Sequence, residues 1–257
     1  MSAAPENEPL DYAERWLRDG LRVVRPSLSV YQITVDMTHA TRRLEELRRA
    51  GVHATATHLL VHAAAQALHT NRALHQIIAG TKRYRPERVD IGLSVMGETF
   101  VAPVLVIEAA DQKTVAEIAS EIASRTPEVR QADQRTVRAL RKWGRMVPFG
   151  FVRRAILRGL FSSASFRRKG AGTFQVSTAP VDWALTSSFS TAGVLVGGQT
   201  RQGVVVANGQ PAVRPLMKVT LSGDHGVWDG RGAARFLAAV KSDLEALSFE
   251  QCLRQSA

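Results

Sequence analysis

The sequence predicts one mixed α/β domain over residues 1–257, and three observations carry that expectation. Segments with helical apolar spacing alternate with β-branched runs of strand length. No internal repeat or low-complexity linker divides the chain. The composition, 45% hydrophobic and 22% charged, is that of a folded globular protein.

From Leu10 to Val24 the residues Leu10, Tyr12, Trp16, Leu17, Leu21 and Val24 predict an amphipathic helix that stops before Pro26. Val30 to Met37 reads as a strand. Thr38 to Ala50 reads as a surface helix closed by Gly51, and about Thr55 to Leu68 as a second helix with Leu59, Leu60, Ala63, Ala64 and Leu68 on its apolar side. After a polar turn near Ala79 to Thr81, Val89 to Val95 and Phe100 to Ile107 predict paired strands. Asp111 can cap a helix over Thr114 to Ala123. Strand-like runs return at Thr173 to Ser177, Val194 to Val196, Val204 to Val206 and Val213 to Leu221, with turns at Gly198 and Asn208-Gly209. Gly232 to Leu247 closes as a helix with an apolar stripe.

The net charge of +11 comes from one place. Residues 135–169 hold eleven Arg and Lys and no Asp or Glu, and the 34 cations less these eleven leave 23 against 23 acids elsewhere. The segment also carries Leu140, Trp143, Met146, Val147, Phe149, Phe151, Val152, Ile156, Leu157, Leu160 and Phe161. It is therefore an amphipathic cationic insertion, and Pro148 predicts a break into two helical pieces. Such a pair suits an anionic membrane surface or another anionic partner. A flap whose apolar face joins the core and whose arginines are solvated explains it as well. Nucleic acid is disfavoured as a partner, because the charge is local and no aromatic stacking platform accompanies it. The acidic, polar start lacks a signal sequence, no apolar run is of membrane-spanning length, and the single cysteine, Cys252, rules out an intrachain disulfide. A cytoplasmic protein is the expectation.

The chemistry points to Asp224-His225-Gly226-Val227-Trp228-Asp229-Gly230, which follows the strand Met217 to Leu221. A histidine at a strand end is held by a rigid sheet, and its side chain suits proton transfer near neutral pH. On spacing alone, a turn whose aspartates cap the next helix around an incidental histidine explains the run equally well. Elsewhere, His58 and His62 share a helical face with His69 two turns on, but no third ligand accompanies them, and exposed polar positions are the simpler reading. No metal site is expected, and no dinucleotide or P-loop fingerprint is present.

The run resembles the His-x-x-x-Asp-Gly signature shared by chloramphenicol acetyltransferase and by the catalytic domain of the dihydrolipoamide acyltransferases of 2-oxo-acid dehydrogenase complexes. Gly172-Thr173-Phe174-Gln175-Val176-Ser177 resembles the strand that carries that family's oxyanion-stabilising hydroxyl. Its continuation Ser177-Thr178-Ala179-Pro180, with Trp183, is closer to the chloramphenicol enzyme. Val89-Asp90-Ile91-Gly92-Leu93-Ser94-Val95 and Phe100-Val101-Ala102-Pro103-Val104 match the dehydrogenase acyltransferases in order and spacing.

What the resemblance implies is a two-layer, chloramphenicol acetyltransferase-like fold with a mixed sheet. It also implies transfer of an acyl group from an acyl-CoA or acyl-carrier thioester by direct attack of a thiol, hydroxyl or amine. His225 would be the general base and Ser177 the oxyanion donor. Asp229 would fix the loop, Asp224 would support it, and Arg25 would pair with Asp229. Coenzyme A would be a substrate, with no metal and no lipoyl attachment in the chain. A homotrimer or an assembly of trimers is implied, with His225 and Ser177 supplied by different subunits. An acidic acyl carrier protein, a lipoyl domain or the phosphates of coenzyme A would join the membrane surface as partners for 135–169. Gly226 stands where an arginine is usual and Trp228 where a small or aliphatic residue is usual, so the loop is expected to pack differently. The sequence holds no lipoyl domain, no peripheral-subunit-binding domain and no Pro/Ala-rich linker, which suggests a stand-alone relative. A catalytically silent trimeric scaffold or docking module of the same fold is the alternative. Cys252 is expected to be inert.

Overall fold

The computed structural model describes residues 10–24, 28–79, 82–97, 99, 101–188 and 191–246. Helix α1 (Tyr12–Val23) opens on a capping box, in which the Asp11 carboxylate accepts from the Glu14 N–H at 2.8 Å and Glu14 accepts from the Asp11 N–H at 2.7 Å. Strand β1 (Leu28–Asp36) and helices α2 (Thr38–Arg49) and α3 (Ala56–Thr70) follow within a residue or two of their expected bounds. A small hairpin, β2 (Ile77–Ala79) with β3 (Lys82–Tyr84), stands where the sequence shows only a polar turn. Strands β4 (Ile91–Ser94) and β5 (Val104–Ile107) pair antiparallel as expected.

The helix expected over Thr114 to Ala123 is much longer. Helix α4 runs from Val115 to Trp143, through Pro127. A proline inside a helix removes one N–H donor and normally signals an end. Here Thr126 donates to the Ile122 carbonyl at 2.6 Å in the turn before it, and packing against α3, β5 and α1 holds the helix on both sides. A 3-10 turn at Gly144–Met146, helix α5 (Gly150–Phe161) and helix α6 (Ala164–Ala171) complete the basic segment, so with the end of α4 it forms three α-helical pieces and not two. Pro148 lies in the break before α5. Strands β6 (Phe174–Thr178), β7 (Gly193–Gly197), β8 (Arg201–Ala207) and β9 (Gln210–Asp224) then lead to helix α7 (Gly230–Ala246).

The main sheet runs β1-β9-β7-β6-β4-β5, with β8 also on β9. β4 and β7 flank β6 in parallel, and all other pairs are antiparallel, so the sheet is mixed. One face carries Val35, Ile91, Leu93, Leu105, Phe174, Val176, Leu195, Val219 and Leu221 onto α3 and α7, whose Leu59, Leu60, Phe236 and Leu237 close the core. This is the expected two-layer arrangement. Strand β9 reaches past the end of β1, where it pairs only with β8 in a two-stranded arm. Asn208 (φ 53°) and Gly209 (φ 77°) turn that arm, the left-handed pair that a two-residue hairpin requires. Val204, Val206 and Val213 are 67–79% exposed on it, and Val204 stands opposite Val213.

The basic segment packs on α1. Arg153 donates through Nε to Asp19 at 2.8 Å and through Nη1 to the carbonyls of Val147 and Pro148, and Arg154 reaches the other Asp19 oxygen at 3.1 Å. Arg153 and Asp19 are both buried. α6 is tied to the sheet by Arg168, 3.7 Å from Asp90.

Candidate active site

His225 follows the last residue of β9 and is exposed. Its Nδ1 lies 3.0 Å from the Trp228 carbonyl oxygen. A carbonyl can only accept, so Nδ1 carries the proton and donates it, which leaves Nε2 as the unprotonated acceptor of the neutral ring. The turn is held from within. The Asp224 carbonyl accepts from the N–H groups of Val227 and Trp228 at 2.8 and 2.9 Å, and its carboxylate accepts from the Gly226 N–H at 3.0 Å. Asp229 caps α7, accepting from the Gly232 N–H at 2.6 Å. Arg25 and Cys252 lie outside the described residues.

Trp228 anchors the turn. Its indole is fully buried, with ring centroids 5.9 Å from Phe174 and 5.1 Å from Phe236. Room for it comes from two glycines that face each other across β7 and β9, Gly193 and Gly223. A Cβ at Gly223 would lie 2.6 Å from the indole Cδ1, and one at Gly193 would lie 2.9 Å from Phe174. The bulky residue is thus matched by a slot in the sheet. The glycines flank the strand-like runs Val194 to Val196 and Val213 to Leu221, and only the register pairs them.

Ser177 sits on β6, on the face of the sheet opposite the core. Its hydroxyl has no hydrogen-bond partner among the described residues, and it faces a cavity of about 390 Å³ lined also by Leu21, Ser94, Gln175, Val194, Val196 and Thr186. His225 does not line that cavity. The register gives the reason. Ser177 stands opposite Val196, and Val196 opposite Thr220, so His225 lies five residues further along β9. At about 3.3 Å per residue that is about 17 Å along the strand, before two strand spacings are added across the sheet. Within one chain the two side chains are not brought together.

Two groups near the turn were not foreseen. Arg167 of α6 donates to the Phe161 carbonyl at 2.5 Å and the Ile78 carbonyl at 2.7 Å. Burial lowers the proton affinity of its guanidinium, and the Asp224 carboxylate pulls the other way. His75 is buried, and its Nε2 is 2.7 Å from the Thr173 hydroxyl. Burial, with Arg72 adding to it, pushes the His75 imidazole down from 6.5 to about 4. The other histidines correct the expectation of exposed positions. His62 is buried with Nδ1 3.3 Å from Asp243. His58 is half-buried, its Nδ1 accepts from the Thr55 N–H at 2.9 Å, and burial lowers its affinity for a proton. Of the three helical histidines His58, His62 and His69, only His69 is exposed, 2.8 Å from Asp111. Among the described residues, no group of three or more His, Cys, Asp or Glu is placed to hold a metal ion.

The fold is the one shared by chloramphenicol acetyltransferase and the acyltransferase cores. A solved chloramphenicol acetyltransferase superposes with a TM-score of 0.52 at 13% identity over 95% of this chain and all of that one. A probable dihydrolipoamide acetyltransferase from Listeria monocytogenes gives 0.71 at 22% identity, covering 96% of this chain and 97% of that one. A structure of Azotobacter vinelandii dihydrolipoamide acetyltransferase gives 0.70 at 21% identity over 94% and 92%, and in that protein the roles of a serine, a histidine and an asparagine in catalysis have been investigated. In sequence, the dihydrolipoyllysine-residue succinyltransferase component of the 2-oxoglutarate dehydrogenase complex from Bartonella vinsonii subsp. berkhoffii is 28% identical over 178 residues, 67% of this chain and 36% of that protein.

The chain belongs to the family of 2-oxoacid dehydrogenase acyltransferases, as their catalytic domain, whose family model matches residues 26–138 and 189–253. The matched part of the chain spans little more than a third of the length of the curated relatives. The unmatched stretch, 139–188, holds most of the basic insertion and also β6 with Ser177.

Proposed function

We propose that the protein transfers an acyl group from a thioester, acyl-CoA or an acylated carrier, to a thiol, hydroxyl or amine, at a site shared between subunits of a homotrimer. The observation that carries this reading is the His225 ring, anchored through Nδ1 to the Trp228 carbonyl with Nε2 free. In the proposed reaction Nε2 takes the proton of the acceptor as its heteroatom attacks the thioester carbonyl carbon. The carbonyl π electrons move to oxygen, and the Ser177 hydroxyl of a neighbouring subunit donates a hydrogen bond to that oxyanion. Collapse re-forms the carbonyl and expels the thiolate, which receives the proton from the imidazolium. No covalent acyl-enzyme is formed.

Three observations support the shared site. His225 and Ser177 are too far apart along the sheet to act within one chain, and Ser177 already faces a cavity of substrate size. The exposed valines of the β8–β9 arm are the kind of apolar patch that subunit contacts cover. In the Azotobacter enzyme the histidine and the asparagine are four positions apart, as His225 and Asp229 are here, so Asp229 is assigned to hold the loop by capping α7. Asp224 braces the turn from its other end.

Free thiol release from a panel of acyl-CoAs, followed in wild type and in His225→Ala, tests the proposal. Loss of about 100- to 10,000-fold in His225→Ala is expected. Equal release from both proteins would reject the general base and favour a silent scaffold.

A further inference from the structure

We propose that the outward face of the basic segment, from Trp143 through α5, docks on an anionic lipid surface. The argument is independent of the acyl-transfer reading. Five of the segment's cations are used inside the molecule: Arg141 pairs with Asp11, Arg153 and Arg154 with Asp19, Arg168 with Asp90, and Arg167 holds backbone carbonyls. The other six, Arg135, Arg138, Lys142, Arg145, Arg158 and Lys169, are exposed and have no carboxylate partner among the described residues, Arg135 and Arg138 reaching only the Gln131 and Gln134 carbonyls of their own exposed helix turn.

The same segment carries the large apolar side chains that packing leaves out. Trp143, Met146, Phe149 and Phe151 are 59–71% exposed. Phe149 and Phe151 pack on each other, with ring centroids 5.8 Å apart, and Lys142 lies 4.9 Å from the Trp143 ring. α5 turns Arg153 and Phe161 inward, so its outward arc is Phe151, Ala155, Ile156 and Gly159 with Arg158 at the edge. A helix with an apolar outer face flanked by cations matches the boundary between lipid headgroups and acyl chains. Charge disfavours a second copy of the same face as occupant, because the two would bring like charges together. No described helix is long and apolar enough to cross a membrane, so the contact proposed is peripheral.

Co-sedimentation with phosphatidylcholine vesicles, with and without phosphatidylglycerol, decides the proposal. The full chain is expected to pellet with the mixed vesicles at low salt, not with phosphatidylcholine alone, and to be released at about 0.5 M salt. Two variants leave the internal ion pairs and the catalytic turn untouched. Arg145→Gln/Arg158→Gln/Lys169→Gln is expected to weaken binding on the order of a hundredfold, at about fivefold per cation. Trp143→Ser/Phe149→Ser/Phe151→Ser is expected to weaken it at least tenfold while light scattering reports an unchanged oligomer. Binding that ignores lipid charge, or that survives both sets of substitutions, overturns the proposal. A change of oligomeric mass in the apolar variant would make the face a subunit contact. Retention on an immobilised acidic carrier protein with none on vesicles would make the occupant a protein.

Discussion

His75 sits in a network that leaves it no room for a second proton. The Thr173 hydroxyl gives its own hydrogen to the Asp90 carbonyl at 3.0 Å, so it accepts from His75 Nε2–H, while Nδ1 is buried without a partner among the described residues. The unfolded chain takes up a proton here below about pH 6.5, and the folded protein only below about pH 4. Stability is therefore full above pH 6.5 and falls as pH drops through that window, by about 3 kcal/mol in total. A His75→Gln protein should show a flatter Tm against pH over the same range, measured by calorimetry. Trp228 makes a second residue-scale demand. Gly223→Ala is expected to cost about 1–3 kcal/mol by pushing the indole out of its slot. In a Trp228→Leu background the same substitution should cost much less than in the wild type, as a double-mutant cycle by chemical denaturation would show. At this scale the sequence shows His225, Ser177 and the two aspartates through their motifs. It hides His75, Arg167 and the glycine pair, because burial and cross-strand register are long-range properties.

The elements divide into those whose sequence signals agree with one another and those that tertiary contacts override. The cap of α4 is Thr114 and not the expected Asp111, which lies in the 3-10 turn Ala110–Gln112. Asn208-Gly209 marks the arm, so that turn was legible from local chemistry. The far end of α4 was not, since Pro127 reads as a stop and only packing carries the helix past it. The basic segment's charge was visible, but not its division into inward arginines that brace α1 and α6 and outward cations with no carboxylate partner among the described residues. Asp19 is the hinge of that division. Asp19→Ala would leave Arg153 charged and buried with no carboxylate, at a cost of about 3–5 kcal/mol. The loss should be local. Hydrogen exchange is expected to show α5 amides losing protection while β6, β7 and β9 keep theirs.

For the molecule as a whole, the order of strand-like and helical runs and the two signature segments made the fold class readable. The sheet order and the distance between His225 and Ser177 emerge only from pairing. That distance yields a test which no single-chain site can pass. If His225 and Ser177 act across a subunit boundary, the His225→Ala and Ser177→Ala proteins, each inactive alone, should regain part of the wild-type rate when unfolded together and reassembled. Some boundaries in the mixed trimers then carry one intact residue from each parent. Mixtures no more active than the separate parents would place the site within one chain or assign the chemistry elsewhere.

Strand β9 joins two properties that are usually separate. Its first half carries the valine-faced arm and its last residue precedes His225. From Val213 to Asp224 is about 36 Å of unbroken extended strand, and His225 follows directly. The strand is therefore a ruler, and whatever seats the arm also fixes how far away, and on which side of the sheet, the imidazole is presented. Since side chains alternate faces at every residue, the length of β9 can change only in steps of two without turning the histidine away from its partner. Assembly and chemistry would in that case be inherited together, as two ends of one strand.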